Sequence, residues 1–148
     1  MNTMKLRALM YMFLMIVITP QAIASSLPDN NAIYVIQSVL SDNGFERVTA
    51  QVADGRPKGG TKGLIIGYRS TASSVEELET ETGEILGSFF GIVKAGWDCD
   101  EMSVVVGDRN GNAIGMWYCT KEWKDGNVHG RMTEEEVYAN VLGNMHSF

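Results

Sequence analysis

Residues 74–94 carry the longest uninterrupted helical pattern in the chain. Val75, Leu78, Thr82, Ile85, Leu86, Phe89 and Val93 lie three, four, three, one, three and four positions apart, which sets them on one face of a helix. Ser74 and Glu77 stand three apart ahead of it as a capping box, and Gly96 is placed to stop it. A second row, Gly83, Gly87 and Gly91, follows a different face. Each glycine inside a helix costs about 1 kcal/mol relative to alanine. The row therefore predicts close approach of another backbone, either a helix of the same domain or a second copy across a homodimer seam.

Upstream, Ile33, Ile36 and Leu40, with Ala32, Val35 and Val39 beside them, predict a helix capped by Asp29 and ended by Gly44. The period then drops to two. Val48, Ala50 and Val52 alternate with Thr49 and Gln51 over residues 45–52, and Leu64, Ile66 and Tyr68 share one side over residues 63–70. The turn-rich stretch 53–60 joins them into a hairpin. Strands at 101–106 and 113–120, around the turn signal Asn110-Gly111, predict a second hairpin. A polar, glycine-rich connection over 121–132 leads to a short last helix, opened by Thr133 with Glu136 and carrying Val137, Val141 and Met145 on its apolar face. The order α-ββ-α-ββ-α predicts an α+β domain: an antiparallel four-stranded sheet, made of the two β-hairpins, packed by helices on one face.

The N-terminus follows another rule. Lys5 and Arg7 precede an apolar run over residues 8–18, Pro20 breaks it, and Ala22-Ile23-Ala24 offers a small-x-small cleavage site. Residues 1–24 read as a signal peptide cleaved after Ala24, leaving residues 25–148 as a single exported domain, periplasmic, cell-surface or secreted. The alternative is an uncleaved anchor, the one way this chain would hold a membrane, but the apolar core falls short of the ~20 residues a spanning helix needs. The segment carries two of the twelve basic residues and none of the eighteen acidic ones, so the rest bears ten against eighteen. That balance excludes nucleic acid and anionic membrane surfaces as expected partners. In an oxidising compartment, Cys99 and Cys119 are expected to form a disulfide. Closing that loop would be worth about 3 kcal/mol.

Candidate chemistry is sparse. The loop 54–62 is glycine-rich and basic, so Arg56, Lys58 and Lys62 form a candidate anion contact, although the P-loop spacing fails because Gly63 follows Lys62. Asp108, Asn110 and Asn112 have calcium-ligand spacing, but Ala113 and Cys119 stand where an EF-hand loop needs glycine and glutamate. Asp98, Asp100 and Glu101 form an acidic knot. His129 and His146 lie in no metal-ligand motif, and neither a metal nor a cofactor is expected. Trp97, Trp117, Tyr118 and Trp123 gather around the second hairpin as a candidate binding face, with adjacent Trp117 and Tyr118 pointing to opposite sides of a strand. Residues 130–136, Gly-Arg-Met-Thr-Glu-Glu-Glu, resemble the SHOCT (short C-terminal domain) motif, which implies an oligomerising or docking helix; Val137 departs from the aromatic residue usual there. With no coherent catalytic set, the expectation is an exported, non-enzymatic binding or interaction module for a protein, envelope or small-molecule partner. The alternative is a small extracytoplasmic hydrolase or ligand-processing enzyme using His129 with Asp98, Asp100 or Glu101.

Overall fold

The computed structural model describes residues 26–148. The expected signal segment and its cleavage site lie outside the described residues. In order, the chain forms α1 (Asp29–Asp42), β1 (Glu46–Asp54), a 3-10 turn (Arg56–Lys58), β2 (Lys62–Arg69), α2 (Val75–Lys94), β3 (Glu101–Gly107), β4 (Ala113–Cys119), α3 (Lys121–Val128), α4 (Glu134–Gly143) and a short β5 (His146–Ser147). The α+β class and both hairpins stand as expected.

The sheet differs from the expected one. It has five strands in the order β1-β2-β3-β4-β5, and β2 and β3 run parallel. The cause is α2. Its 20 residues rise about 30 Å at 1.5 Å each, slightly more than the length of β2, so the helix carries the chain back to the end from which β2 began. The stretch 121–132 also hides a helix, α3, whose cap is the Thr120 hydroxyl accepting from the Trp123 amide. Asn144 then extends the sheet's outer edge. Its side-chain amide accepts from the Tyr118 N–H and donates to the Tyr118 carbonyl, continuing on β4 the pairing that β5 makes at Gly115 and Met116.

Alternation sorts the strands into two faces. Leu64, Ile66, Met102, Val104, Val106 and Trp117 turn inward and are buried against Ile36, Leu40, Ile85, Phe89 and Phe90 from the helices. Val75, the first residue of the expected stripe, is exposed, whereas Thr82, Ile85, Leu86 and Phe89 are buried and Val93, its last residue, is half-buried. The other face presents cross-strand rows. Gln51, Ile65, Ser103 and Tyr118 form one; Thr49, Gly67, Val105, Met116 and His146 form the next. Val105 and Tyr118 there are more than a third exposed. No helix among the described residues is long and apolar enough to cross a membrane.

Candidate functional site

The two ends of the sheet gather charge in opposite ways. At the amino ends of β2 and β3, Arg56 forks onto Asp98 (Nη1 to Oδ2, 2.7 Å; Nη2 to Oδ1, 2.8 Å) and reaches Asp100 through Nε at 3.1 Å. Asp100 also accepts from the Lys62 amide at 2.8 Å. The Lys62 ammonium pairs with Asp29 at 2.5 Å, and the Trp97 indole donates to the same carboxylate at 3.0 Å. Glu101 accepts from Thr61 at 2.6 Å. Hydrogen bonds from Arg56 hold the Asp98 carboxyl below the usual range. Burial pushes Asp100 up, but Arg56 and the Lys62 amide outweigh it and the carboxyl ends lower than normal. The basic loop and the acidic knot thus neutralise each other, leaving Lys58 exposed at the loop tip.

At the carboxyl ends of the same strands, Arg47, Arg69 and Arg109 line a hollow of about 340 Å³ with Gly67, Val105, Gly107 and Ala113. Three of the chain's six arginines meet there. Two bulges shape it. β1 has one residue more than β2 between Glu46 and Thr49, and β4 one more than β3 beside Gly107. In the first, Arg47 takes φ 51°, left-handed backbone that a glycine normally fills in such a bulge. Gly67 keeps the floor open, because a Cβ there would stand 2.9 Å from the Thr49 hydroxyl. Arg69 is paired with Glu46 at 2.6 and 2.8 Å, and its Nη1 donates to the Arg109 carbonyl at 3.4 Å. The Asp108 carboxylate is turned into its own loop, accepting from the Asn110 and Asn112 amides. Arg47 and Arg109 are exposed and hold no carboxylate among the described residues. Two free guanidiniums beside a third, fixed one can take an oxyanion by paired N–H donation.

Behind the hollow, where β2 leads into α2, lies a half-buried acidic group. The Ser70 hydroxyl donates to Glu81 at 2.5 Å. Burial pushes Glu81 and Glu84 up, and each repels a neighbouring glutamate. The Tyr68 hydroxyl is buried near them with no partner among the described residues, and desolvation with both charges drives its pKa upward.

The remaining candidates are scattered. Cys99 and Cys119 are buried free thiols, which corrects the expected disulfide. The hairpin register sets Cys119 opposite Met102, three residues past Cys99, and Cys99 turns instead to the carbonyls of Lys62 and Glu101. Burial lifts the Cys99 thiol to about 11 and the Cys119 thiol to about 12. Trp97 and Trp117 belong to the core; Tyr118 stacks on Trp123 at 6.2 Å and 5° on the outer face. Gly83, Gly87 and Gly91 are all buried, and at Gly83 the covering group is the Tyr138 ring of α4. The segment of SHOCT-like pattern caps through Thr133 and docks Val137, Tyr138 and Val141 inside its own domain. His129 ends α3 and His146 lies in β5, both exposed. No group of three His, Cys, Asp or Glu able to hold a metal occurs among the described residues. Nothing in the alternating pattern of β1 marks the bulge that brings Arg47 to Arg69 and Arg109; the available signal was an arginine at each of three strand or turn ends.

These features define a small α+β domain with a mixed sheet, one neutralised end and one cationic end. The chain belongs to the family described as Domain of unknown function (DUF8159), which matches residues 28–148. No curated protein matches the chain, and no solved structure does.

Proposed function

We propose that the protein is an exported, non-enzymatic binding domain whose ligand presents an oxyanion to the hollow lined by Arg47, Arg69 and Arg109. The observation that carries this reading is a hollow with two uncommitted guanidiniums on an otherwise acidic domain. Such contrast attracts anions locally while the surrounding negative surface rejects polyanions. The left-handed Arg47 supports it as well, since strained backbone collects where a side chain must be aimed. The enzyme alternative gains no comparable support: Asp98 and Asp100 are anions already held by Arg56, so neither is free to exchange a proton with His129 near neutral pH.

Nitrogen-15 NMR with inorganic phosphate tests the site. Amide shifts at Gly67, Gly107 and Gly111 that saturate at millimolar phosphate, and vanish in Arg109→Ala, are expected. Shifts absent in the native protein, or unchanged in the variant, would overturn the reading. Export is tested separately by N-terminal sequencing of the protein from the producing cell: a chain beginning at Ser25 is expected, and one retaining Met1 inside the cytoplasm is the contrary result.

A further inference from the structure

The hollow does not end at its arginines. Along the outer face of the sheet, the row next to Gly107 and Arg69 holds Val105 and Met116, and the row beyond it holds Ile65 and Tyr118. Val105 and Tyr118 are exposed at 36% and 37%, and Ile65 and Met116 are half-buried. Two rows along a strand span about 13 Å at ~3.4 Å per residue. An apolar track of that length therefore leads from the cationic hollow to the ring of Tyr118, which Trp123 backs by parallel stacking. A monomer's outer surface rarely joins exposed apolar residues into one continuous strip without use.

We infer that the ligand is an amphiphilic anion, a phosphate-type head seated among Arg47, Arg69 and Arg109 with an aliphatic body lying along Val105, Met116, Ile65 and Tyr118. This rests on the proposed anion site and adds its substrate class. Charge complementarity selects the orientation: the head can be satisfied only at the hollow. In the far row Ser103 stands between Ile65 and Tyr118, so the unbroken apolar path runs from Val105 through Met116 to Tyr118 with Ile65 flanking it, and neither Ser103 nor Gln51 adds charge. The occupant is a single amphiphile and not a bilayer, because a domain bearing ten basic against eighteen acidic residues beyond the first 24 is repelled by an anionic membrane surface.

Calorimetric titration of the protein with decyl phosphate, inorganic phosphate and an uncharged decyl glucoside distinguishes the cases. Decyl phosphate is expected to bind at least about tenfold more tightly than inorganic phosphate, since even two buried methylenes are worth about 1.4 kcal/mol. The double variant Ile65→Ser/Met116→Ser, at two outward-facing positions that do not line the hollow, should lower decyl phosphate affinity about tenfold by the same reasoning while leaving phosphate affinity unchanged; a matching thermal midpoint would show the fold intact. Arg109→Ala should weaken both anionic ligands. Equal affinity for decyl phosphate and inorganic phosphate overturns the amphiphile and leaves the anion site standing. Loss of both overturns the two together. Binding of the glucoside as tight as that of decyl phosphate, or sedimentation with phosphatidylglycerol vesicles that survives the double variant, also overturns the inference.

Discussion

Two basic clusters stand at opposite ends of the same pair of parallel strands, and they have opposite chemistry. At the amino ends Arg56 is clasped by Asp98 and Asp100, and Lys62 by Asp29. At the carboxyl ends Arg69 alone has a carboxylate, Glu46, and Arg47 and Arg109 face the hollow. Charge that is matched ties loops to strands. Unmatched charge, held by a bulge and a tight turn, leaves a site where a ligand can supply the missing partner. The difference shows why a count of basic residues locates neither role: what matters is whether the fold supplies the counterion.

The contrast can be broken from either side. The largest effect is expected from Arg56→Ala, which strips charged hydrogen bonds from two carboxylates; each such bond is worth about 1.5–3 kcal/mol, so destabilisation of about 2 kcal/mol is expected after allowance for the exposure of Asp98. Denaturant unfolding measures it. The pH dependence has a definite sign. Folded Asp98 and Asp100 have depressed carboxyls, so their contribution is complete above the unfolded value of about 3.9 and is lost as pH falls through the lower folded value. The penalty of Arg56→Ala should therefore shrink below about pH 4; a penalty that is flat with pH would mean that the network does not act through charge.

Arg47→Gly is the sharper probe of the other end. Glycine adopts the left-handed conformation without the cost of about 1–2 kcal/mol that a Cβ imposes. The variant should be more stable by about 1 kcal/mol and should bind phosphate less well, a pairing of gain and loss that a purely structural arginine would not give. Glu84→Gln comes next. Burial raises this carboxyl, so ionisation costs the fold stability as pH rises beyond the unfolded value of about 4.3, and none below it. The glutamine variant should melt higher than the native protein at pH 7 and at the same temperature well below pH 4. Lys58→Ala should change neither stability nor phosphate binding, because Lys58 tops an exposed turn away from the hollow; a loss of phosphate affinity there would move the anion site to the amino ends of the strands.

Local periodicity made most of the elements legible. The stripe from Thr82 to Val93, the alternation of β1 and β2 and the Asn110-Gly111 turn each express a choice that neighbouring residues settle among themselves. What pattern could not express is pairing at long range. The parallel neighbours β2 and β3 depend on how far α2 carries the chain, and the separation of Cys99 from Cys119 depends on one hairpin's register. The hollow was hidden for the same reason. Arg47, Arg69 and Arg109 are far apart in sequence, and the bulge that joins them leaves no mark in a run such as Glu46-Arg47-Val48-Thr49.

Position 47 has a meaning for the history of the chain as well as for its chemistry. Left to drift under selection for folding alone, a left-handed residue in a bulge moves toward glycine or asparagine, which adopt that backbone most easily. Selection for folding alone gives no reason for the arginine found there, whereas the proposed anion site does. If the proposed site is what holds an arginine here, family members without the ligand should show a relaxed residue at this position before any change reaches the core that α2 and the sheet hold in common.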